Sequence, residues 1–164
     1  MIQLKEELNL NIREVNFLQD VLTHDDSLDF NRFFNFLDRN ETDFIRKTDH
    51  SCKMKGFEKF EEGQQFEKVV KSTFDLKSFN IKLIDTYIFA SYNKFGITTN
   101  HTDDDTTVFL IPTYGDVVYS VYDKTKQQFF VMKKGDLLII PKGVVHSAIP
   151  LNPRIVVSVG IDHY

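Results

Sequence analysis

The sequence predicts a mainly β protein, a sandwich or jelly-roll barrel with a helical flank at its N-terminal end. Three observations support this fold class. Apolar residues recur at helical spacing in the first part of the chain and alternate with a period of two from about residue 78. Short strand candidates then follow one another, separated by turn residues. No repeat or linker divides the chain, so we expect one domain, with a mostly helical flank at 1–77 and a β-barrel core at 78–164.

Three amphipathic segments predict the helices of the flank, at residues 13–22, 28–40 and 64–74. The mixed, polar stretch 39–56 predicts no definite element. The apolar positions on the three helical faces are Val15, Leu18, Val21, Leu22, Phe30, Phe33, Phe34, Leu37, Phe66, Val69, Val70 and Phe74.

Eight segments rich in β-branched and aromatic residues predict the strands of the core. Glycine, proline, asparagine and aspartate residues separate them, as is typical of tight turns. The predicted strands cover residues 80–92, 97–101, 106–112, 116–122, 127–132, 136–140, 145–149 and 154–161.

Composition restricts the partners and the location. The net charge of −4 comes from intermixed acidic and basic residues without a basic stripe, so we expect no nucleic-acid partner. No apolar run approaches the roughly 18 residues of a membrane span, so we expect no membrane partner. The first residues lack the apolar region of a signal peptide, and the single Cys52 excludes an internal disulfide. These features favour a cytoplasmic protein.

Two short stretches carry the candidate chemistry. The stretch from Gly135 to His146, GDLLIIPKGVVH, predicts a strand, a tight turn and then a histidine. In the second stretch, HTD, His101 and Asp103 stand two residues apart, and such positions point the same way along an extended chain. Two imidazoles and one carboxylate form the ligand set that binds non-haem Fe(II) with positions left open. We therefore predict His101, Asp103 and His146 as the metal ligands and catalytic centre.

The spacing of Gly135, Pro141, Gly143 and His146 resembles the second conserved motif of the cupin superfamily. That motif usually continues with an asparagine, whereas this chain has Pro150 at the position.

The first cupin motif is matched at His101 and Gly115. Asp103 replaces its second histidine, and its glutamate falls on Thr107 or Val108. With these changes, residues 80–162 look like the cupin-related oxygenases that depend on Fe(II) and 2-oxoglutarate. The resemblance implies a double-stranded β-helix barrel that binds both and oxidises a C–H bond, releasing succinate and CO2.

The resemblance also implies a residue for the far carboxylate of 2-oxoglutarate. Arg154 lies eight residues after His146 and begins the apolar segment RIVVSVGI. Prolyl-hydroxylase-like members have a similar arginine, followed four positions later by a hydroxyl residue, here Ser158. JmjC-like members usually take a lysine from a strand after His-x-Asp, and the matching strand here, which has Val117, Tyr119 and Val121, has no basic residue. We therefore predict Arg154 and Ser158 as cosubstrate-binding residues. Further candidate hydroxyl donors are Tyr87, Tyr92 and Tyr119.

Each of these residues also has a structural interpretation. Residues 103–105 are three aspartates, which are also typical of a solvated turn. His146 is also compatible with a histidine of the core, and Arg154 with an ion pair to Asp85 or Asp136.

Two other functions therefore stay open beside the oxygenase. One is a metal-dependent cupin enzyme, a dioxygenase or isomerase, that uses no 2-oxoglutarate. The other is a cupin-type ligand-binding protein without turnover. For an oxygenase of this length, a small molecule or a protein side chain is the expected substrate, and the resemblance to cupins predicts a homodimer.

Overall fold

Thirteen strands and two α-helices form the part of the chain that the structure, a computed structural model, describes. This part comprises residues 2–163 except 9, 25–27, 41–42, 49, 74–80, 95–97 and 125, with the backbone alone for 24, 43–48, 81, 83, 84 and 163. The elements are β1 (Ile2–Leu4), β2 (Asn16–Leu18), β3 (Leu22–His24), α1 (Phe30–Arg39), β4 (Asp43–Thr48), β5 (Ser51–Lys55), α2 (Glu61–Ser72), β6 (Ile81–Ser91), β7 (Thr98–His101), β8 (Thr107–Tyr114), β9 (Val117–Asp123), β10 (Lys126–Met132), β11 (Leu137–Ile140), β12 (Val145–Pro150) and β13 (Arg154–His163).

Two antiparallel sheets build the barrel. One has four strands in the order β10-β9-β12-β7, and the other has seven in the order β2-β11-β8-β13-β6-β5-β4. Apolar side chains from both sheets meet between them, such as Tyr119 and Ala148 from the smaller and Leu110 and Val156 from the larger. The prediction of a mainly β, double-stranded β-helix fold is confirmed, and each of the eight predicted strands is present with ends shifted by a few residues.

The larger sheet is covered on both faces. On β8, Val108 and Leu110 point into the barrel, whereas Phe109 and Ile111 pack in a second apolar cluster with the two helices. Strands buried on both faces read as continuous apolar runs, which explains segments such as LLII. The helices contribute Phe33, Phe36, Phe66, Val69 and Val70 to this second cluster.

The helix predicted at 13–22 is wrong. This segment forms β2 and β3 with a left-handed residue, Asp20, between them. The three residues of β2 pair with β11 and so extend the larger sheet, and Leu18 and Phe17 contact opposite apolar clusters, as successive residues of a strand do. The pairing with β11 outweighs the weak local preference for helix.

The other two predicted helices are present, with differences. In α1 the buried positions are Phe33 and Phe36, whereas Phe34 is 44% exposed. Phe74, predicted on the face of α2, lies outside the described residues. The polar stretch 39–56 contains the hairpin β4–β5, so the flank is a mixture of strands and helices and not mostly helical.

Asp136 ties the N-terminal segment to the barrel. It is fully buried, and its two carboxylate oxygens accept hydrogen bonds from the backbone N–H groups of Asp20 and Lys133, both at 2.9 Å. The neighbouring Gly135 adopts a φ of 99° and accepts a bond from the N–H of Leu22. The Gly-Asp pair therefore fixes the start of β11, the strand that leads into the turn before His146.

We expect Asp136→Ala to lower the free energy of unfolding by about 2–4 kcal/mol, because two hydrogen bonds to a buried carboxylate are lost. Urea denaturation followed by circular dichroism measures the change. The matched control is Asp104→Ala, since Asp104 is exposed and its removal should change stability by less than about 0.5 kcal/mol. Equal stabilities for the two variants would contradict this role of Asp136.

Candidate active site

Three side chains converge at one edge of the smaller sheet. His101, Asp103 and His146 each offer a ligand atom, and these atoms lie within 4.8 Å of one another. His146 Nε2 is 3.4 Å from Asp103 Oδ2, and the two imidazole centroids are 4.3 Å apart. The structure thus brings the three residues predicted as metal ligands to one point.

Strand pairing produces this convergence. His101 and His146 are direct partners in the antiparallel pair β7–β12, so their side chains lie on the same face. Asp103 follows β7, and its carbonyl accepts a hydrogen bond of 3.0 Å from the N–H of Gly143 in the turn before His146. This bond holds the His-x-Asp segment against the turn that carries the distal histidine.

Thr107 strengthens the same connection. Its hydroxyl oxygen accepts a hydrogen bond of 3.3 Å from the N–H of Lys142, in the same turn as Gly143. Thr107 is one of the two positions on which the glutamate of the first cupin motif falls. Here the residue is a threonine, and its hydroxyl supports the turn.

Both histidines direct the same nitrogen to the centre. His101 Nδ1 lies 2.9 Å from the carbonyl of Thr99, and His146 Nδ1 lies 3.0 Å from the carbonyl of Val144. A carbonyl only accepts, so each Nδ1 carries a hydrogen, and Nε2 is the ring nitrogen that can offer a lone pair to a metal. Backbone carbonyls commonly orient metal-binding histidines in this way.

The electrostatics at His146 favour the neutral imidazole. Burial lowers its pKa, and the nearby His101 lowers the pKa further, whereas the bond to the Val144 carbonyl and the charge of Asp103 act in the opposite direction. His146 is 4% exposed, which agrees with burial as the main cause. The lowered pKa favours the neutral form of His146 at its 3.4 Å contact with Asp103, and the neutral imidazole is the form that binds a metal ion.

A cavity of about 390 Å³ extends from these ligands into the barrel. This volume lies within the roughly 300–1,000 Å³ of small-molecule sites. Its lining includes the three ligands, Arg154, Tyr119, Ser158, Tyr87, Asp85, Phe89, Lys53, Thr98, Thr99, Thr106, Val108, Leu110 and Ala148.

Arg154 is the buried cation of this cavity. It is 2% exposed, and its Nε and Nη1 have no hydrogen-bond partner within the described part of the chain. Neither predicted ion pair is responsible for its position: Asp136 is bonded to backbone N–H groups, and Asp85 is bonded to Tyr87. A buried guanidinium whose N–H groups have no acceptor is suited to bind a planar carboxylate.

Tyr119 stands beside Arg154. Burial raises the pKa of the Tyr119 hydroxyl, and the charge of Arg154 together with a hydrogen bond between the two side chains offsets part of this increase. Tyr119 lies on β9 of the smaller sheet and Arg154 on β13 of the larger one, so the contact crosses the barrel.

The other residues predicted to bind the cosubstrate are Ser158, Tyr87 and Tyr92, and only the first two line the cavity. Ser158 is buried in the cavity and is paired in register with Tyr87 of β6. Tyr87 bonds Asp85, and burial followed by this bond raises its pKa well above the usual tyrosine value. Tyr92 lies outside the cavity lining and contacts Phe30, so its predicted role as a hydroxyl donor to the cosubstrate has no support in the geometry.

Lys53 and Asp85 line one side of the cavity, and we did not predict this from the sequence. Lys53 belongs to β5, in the stretch for which no element was predicted. The segment Ser51–Lys55 nevertheless alternates, with Cys52 and Met54 buried, and this period of two was the available signal.

Comparisons with known proteins agree with this geometry. Residues 59–164 match the family model of the JmjC domain. No curated protein sequence matches the chain. The fold is similar to the ribosomal oxygenase YcfD from Escherichia coli in complex with cobalt and succinic acid, with a TM-score of 0.74, 17% identity and coverage of 98% of this chain and 52% of YcfD. The complex of YcfD with cobalt and 2-oxoglutarate gives a TM-score of 0.73, 17% identity and coverage of 98% and 53%.

A vicilin from Solanum lycopersicum is a more distant structural match, with a TM-score of 0.51, 12% identity and coverage of 72% of this chain and 29% of the vicilin. The chain spans about half the length of the YcfD chains it matches. Within the described residues, no helix is both long and apolar enough to cross a membrane.

The geometry predicts that His146→Ala abolishes stoichiometric Fe(II) binding and leaves the protein folded, because one of three ligands is lost. Iron content after anaerobic equilibrium dialysis measures the effect, with circular dichroism as the check on folding. The control is His50→Ala, since His50 is exposed and bonded to Asn93 away from the cluster. Full iron occupancy in the His146 variant would refute the assignment of the ligands.

Proposed function

We propose that this chain, which belongs to the JmjC domain family, is an Fe(II)- and 2-oxoglutarate-dependent oxygenase of the hydroxylase type. It would oxidise a C–H bond of a protein side chain or a small molecule and release succinate and CO2. The resemblance predicted from the sequence is confirmed, in its JmjC-like branch. The proposal keeps the cytoplasmic location and the homodimer as expectations from the sequence.

One observation carries the proposal. The cavity has a cluster of two imidazoles and a carboxylate at one position and a buried guanidinium, Arg154, at another. A dicarboxylic 2-oxo acid has matching groups, because its keto and near-carboxylate oxygens chelate a metal and its far carboxylate needs a cation. An orphaned buried arginine is costly unless a ligand completes its hydrogen bonds.

The metal cluster would bind the iron. His101, Asp103 and His146 would hold the iron, and their neutral imidazoles and carboxylate are ligands that iron accepts. With iron bound, dioxygen would be the oxidant: one of its oxygen atoms would enter the C–H bond and the other would enter succinate as 2-oxoglutarate loses CO2.

Arg154 would orient the cosubstrate through its far carboxylate, next to the hydroxyl of Tyr119. The apolar side chains Val108, Leu110 and Ala148 exclude water from the cavity wall, which strengthens the interactions of the charged groups.

The fold shared with YcfD is compatible with these ligand classes. That protein is described as a ribosomal oxygenase and has been solved with cobalt and with 2-oxoglutarate. At 17% identity the likeness concerns the fold, and the support for the ligands comes from the cluster and Arg154 in this chain. YcfD is named a ribosomal oxygenase, and of the two substrate classes expected for this chain a protein side chain is the one that a ribosome contains.

An anaerobic titration of the metal-free protein with Fe(II) and then 2-oxoglutarate tests the proposal. We expect a weak visible charge-transfer band that requires both additions, followed by succinate formation in air. Iron binding without the band would favour a metal-dependent cupin enzyme that uses no 2-oxoglutarate. Absence of iron binding would favour a ligand-binding barrel without turnover.

We expect Arg154→Met to weaken 2-oxoglutarate binding at least about 30-fold and to leave the affinity for Fe(II) within about twofold, because the anchor is not a metal ligand. Intensity of the same visible band against 2-oxoglutarate concentration gives the affinity. Arg154→Lys, which retains the charge, tests whether a lost fold explains the result, and Arg39→Ala on the surface of α1 is the control. Unchanged affinity in a folded Met variant would place the anchor elsewhere.

A further inference from the structure

One wall of the cavity has no part in binding the metal or the cosubstrate as proposed above. The larger sheet continues beyond β6 to β5, whereas the smaller sheet ends at β7. In register, Lys53 of β5 is paired with Phe89 of β6, and Lys55 is paired with Tyr87. Lys53, Tyr87, Phe89 and Asp85 line the cavity on this side. A substrate that approaches the metal cluster along this wall would meet these side chains.

An ammonium group already covers the aromatic surface of the wall. Lys53 Nζ lies 3.7 Å from the ring centroid of Tyr87 and 5.1 Å from that of Phe89. Lys55 Nζ lies 5.8 Å from the Tyr87 ring. Distances below about 6 Å are those of favourable cation–π contacts. The ring face that would otherwise attract a cationic ligand is therefore occupied by the chain itself.

The negative groups near the wall have other partners. Asp85 accepts a hydrogen bond from Tyr87, and both lysines act on its charge. Glu58 accepts a bond of 2.9 Å from the N–H of Thr86, and Thr86 is fully buried and not part of the cavity lining. Asp103 belongs to the metal cluster. Asp85 and Lys53 both line the cavity on this side, and the charge of Lys53 acts on the Asp85 carboxylate.

We propose that Lys53 determines specificity, selecting a substrate that carries an oxyanion, a carboxylate or a phosphate, close to the oxidised carbon and rejecting a cationic side chain. The inference rests on the proposed oxygenase function. An ammonium at the wall attracts an oxyanion, and it repels a second cation while occupying the aromatic face that the cation would use. Removal of Lys53 exposes that face next to Asp85, so the preference should reverse.

Binding of capped pentapeptides to the cobalt-loaded protein with saturating 2-oxoglutarate, under argon, tests the proposal by calorimetry. The peptides are identical except for a central glutamate, phosphoserine, glutamine or arginine. For the wild-type protein we expect an acidic peptide to bind about tenfold more tightly than the glutamine peptide, and the arginine peptide to bind most weakly. The glutamate and phosphoserine peptides distinguish a carboxylate from a phosphate.

Lys53→Met should remove the preference for the acidic peptide and make the arginine peptide the tightest of the four. Lys53→Arg, which keeps a cation at the position, should retain the wild-type order and shows whether loss of fold explains the result for Met. Lys126→Met is the matched control, because Lys126 is an exposed lysine of β10 outside the cavity lining.

Three results would overturn the inference: an arginine peptide preferred by the wild-type protein, an unchanged order in folded Lys53→Met, or no binding of any peptide. Formation of the charge-transfer band with iron and 2-oxoglutarate is measured on the same preparations. A band without the peptide preference contradicts the role of Lys53 alone. A peptide preference without the band contradicts the oxygenase function and leaves the role of Lys53 as an anion-binding residue.

Discussion

The antiparallel pairing of β12 with β7 is the interaction on which the candidate site depends. It sets His146 directly opposite His101, and the bond from Gly143 to Asp103 then brings the carboxylate to the same point. Because successive side chains of a strand alternate between faces, a slip of one residue would turn one histidine away from the other. The register shift between His146 and Ala148 lies next to this pair, and irregularities of this kind are common beside active sites.

The burial of Arg154 is the second constraint, and it lowers the stability of the folded protein. A guanidinium taken from water needs an opposite charge or a full set of hydrogen bonds, and the described residues supply a contact with Tyr119 while leaving two nitrogens without a partner. A structural arginine would be expected to have a carboxylate beside it. A bound carboxylate would complete these hydrogen bonds and offset the loss of folding free energy. The burial of Arg154 and its two nitrogens without partners therefore destabilise the fold and at the same time suit an anionic cosubstrate.

The candidate metal ligands could be proposed from the sequence because each half of their arrangement is local. His101 and Asp103 are two residues apart, and the turn before His146 is encoded by Pro141 and Gly143. The strands were predictable for a similar reason, since β-branched residues alternate between clear turn signals. The segment 13–22 was misjudged because a three-residue strand such as β2 exists through its pairing with β11. To predict Lys53 as a cavity residue, the register of β5 with β6 would have to be known, and no local sequence pattern encodes it.

Arg154 and Tyr119 together explain how this chain departs from the usual pattern of its family. By resemblance, JmjC-like members carry a lysine on a strand after His-x-Asp, and the matching strand here is β9, which has Tyr119 and no basic residue. Tyr119 contacts Arg154 of β13 across the barrel, so a cation from either strand would reach the same part of the cavity. Under the proposed function, the charge that holds the far carboxylate comes from the opposite sheet. A cosubstrate carboxylate would need a cation at that position in space, and in this chain Arg154 of β13 is the cation that lies there.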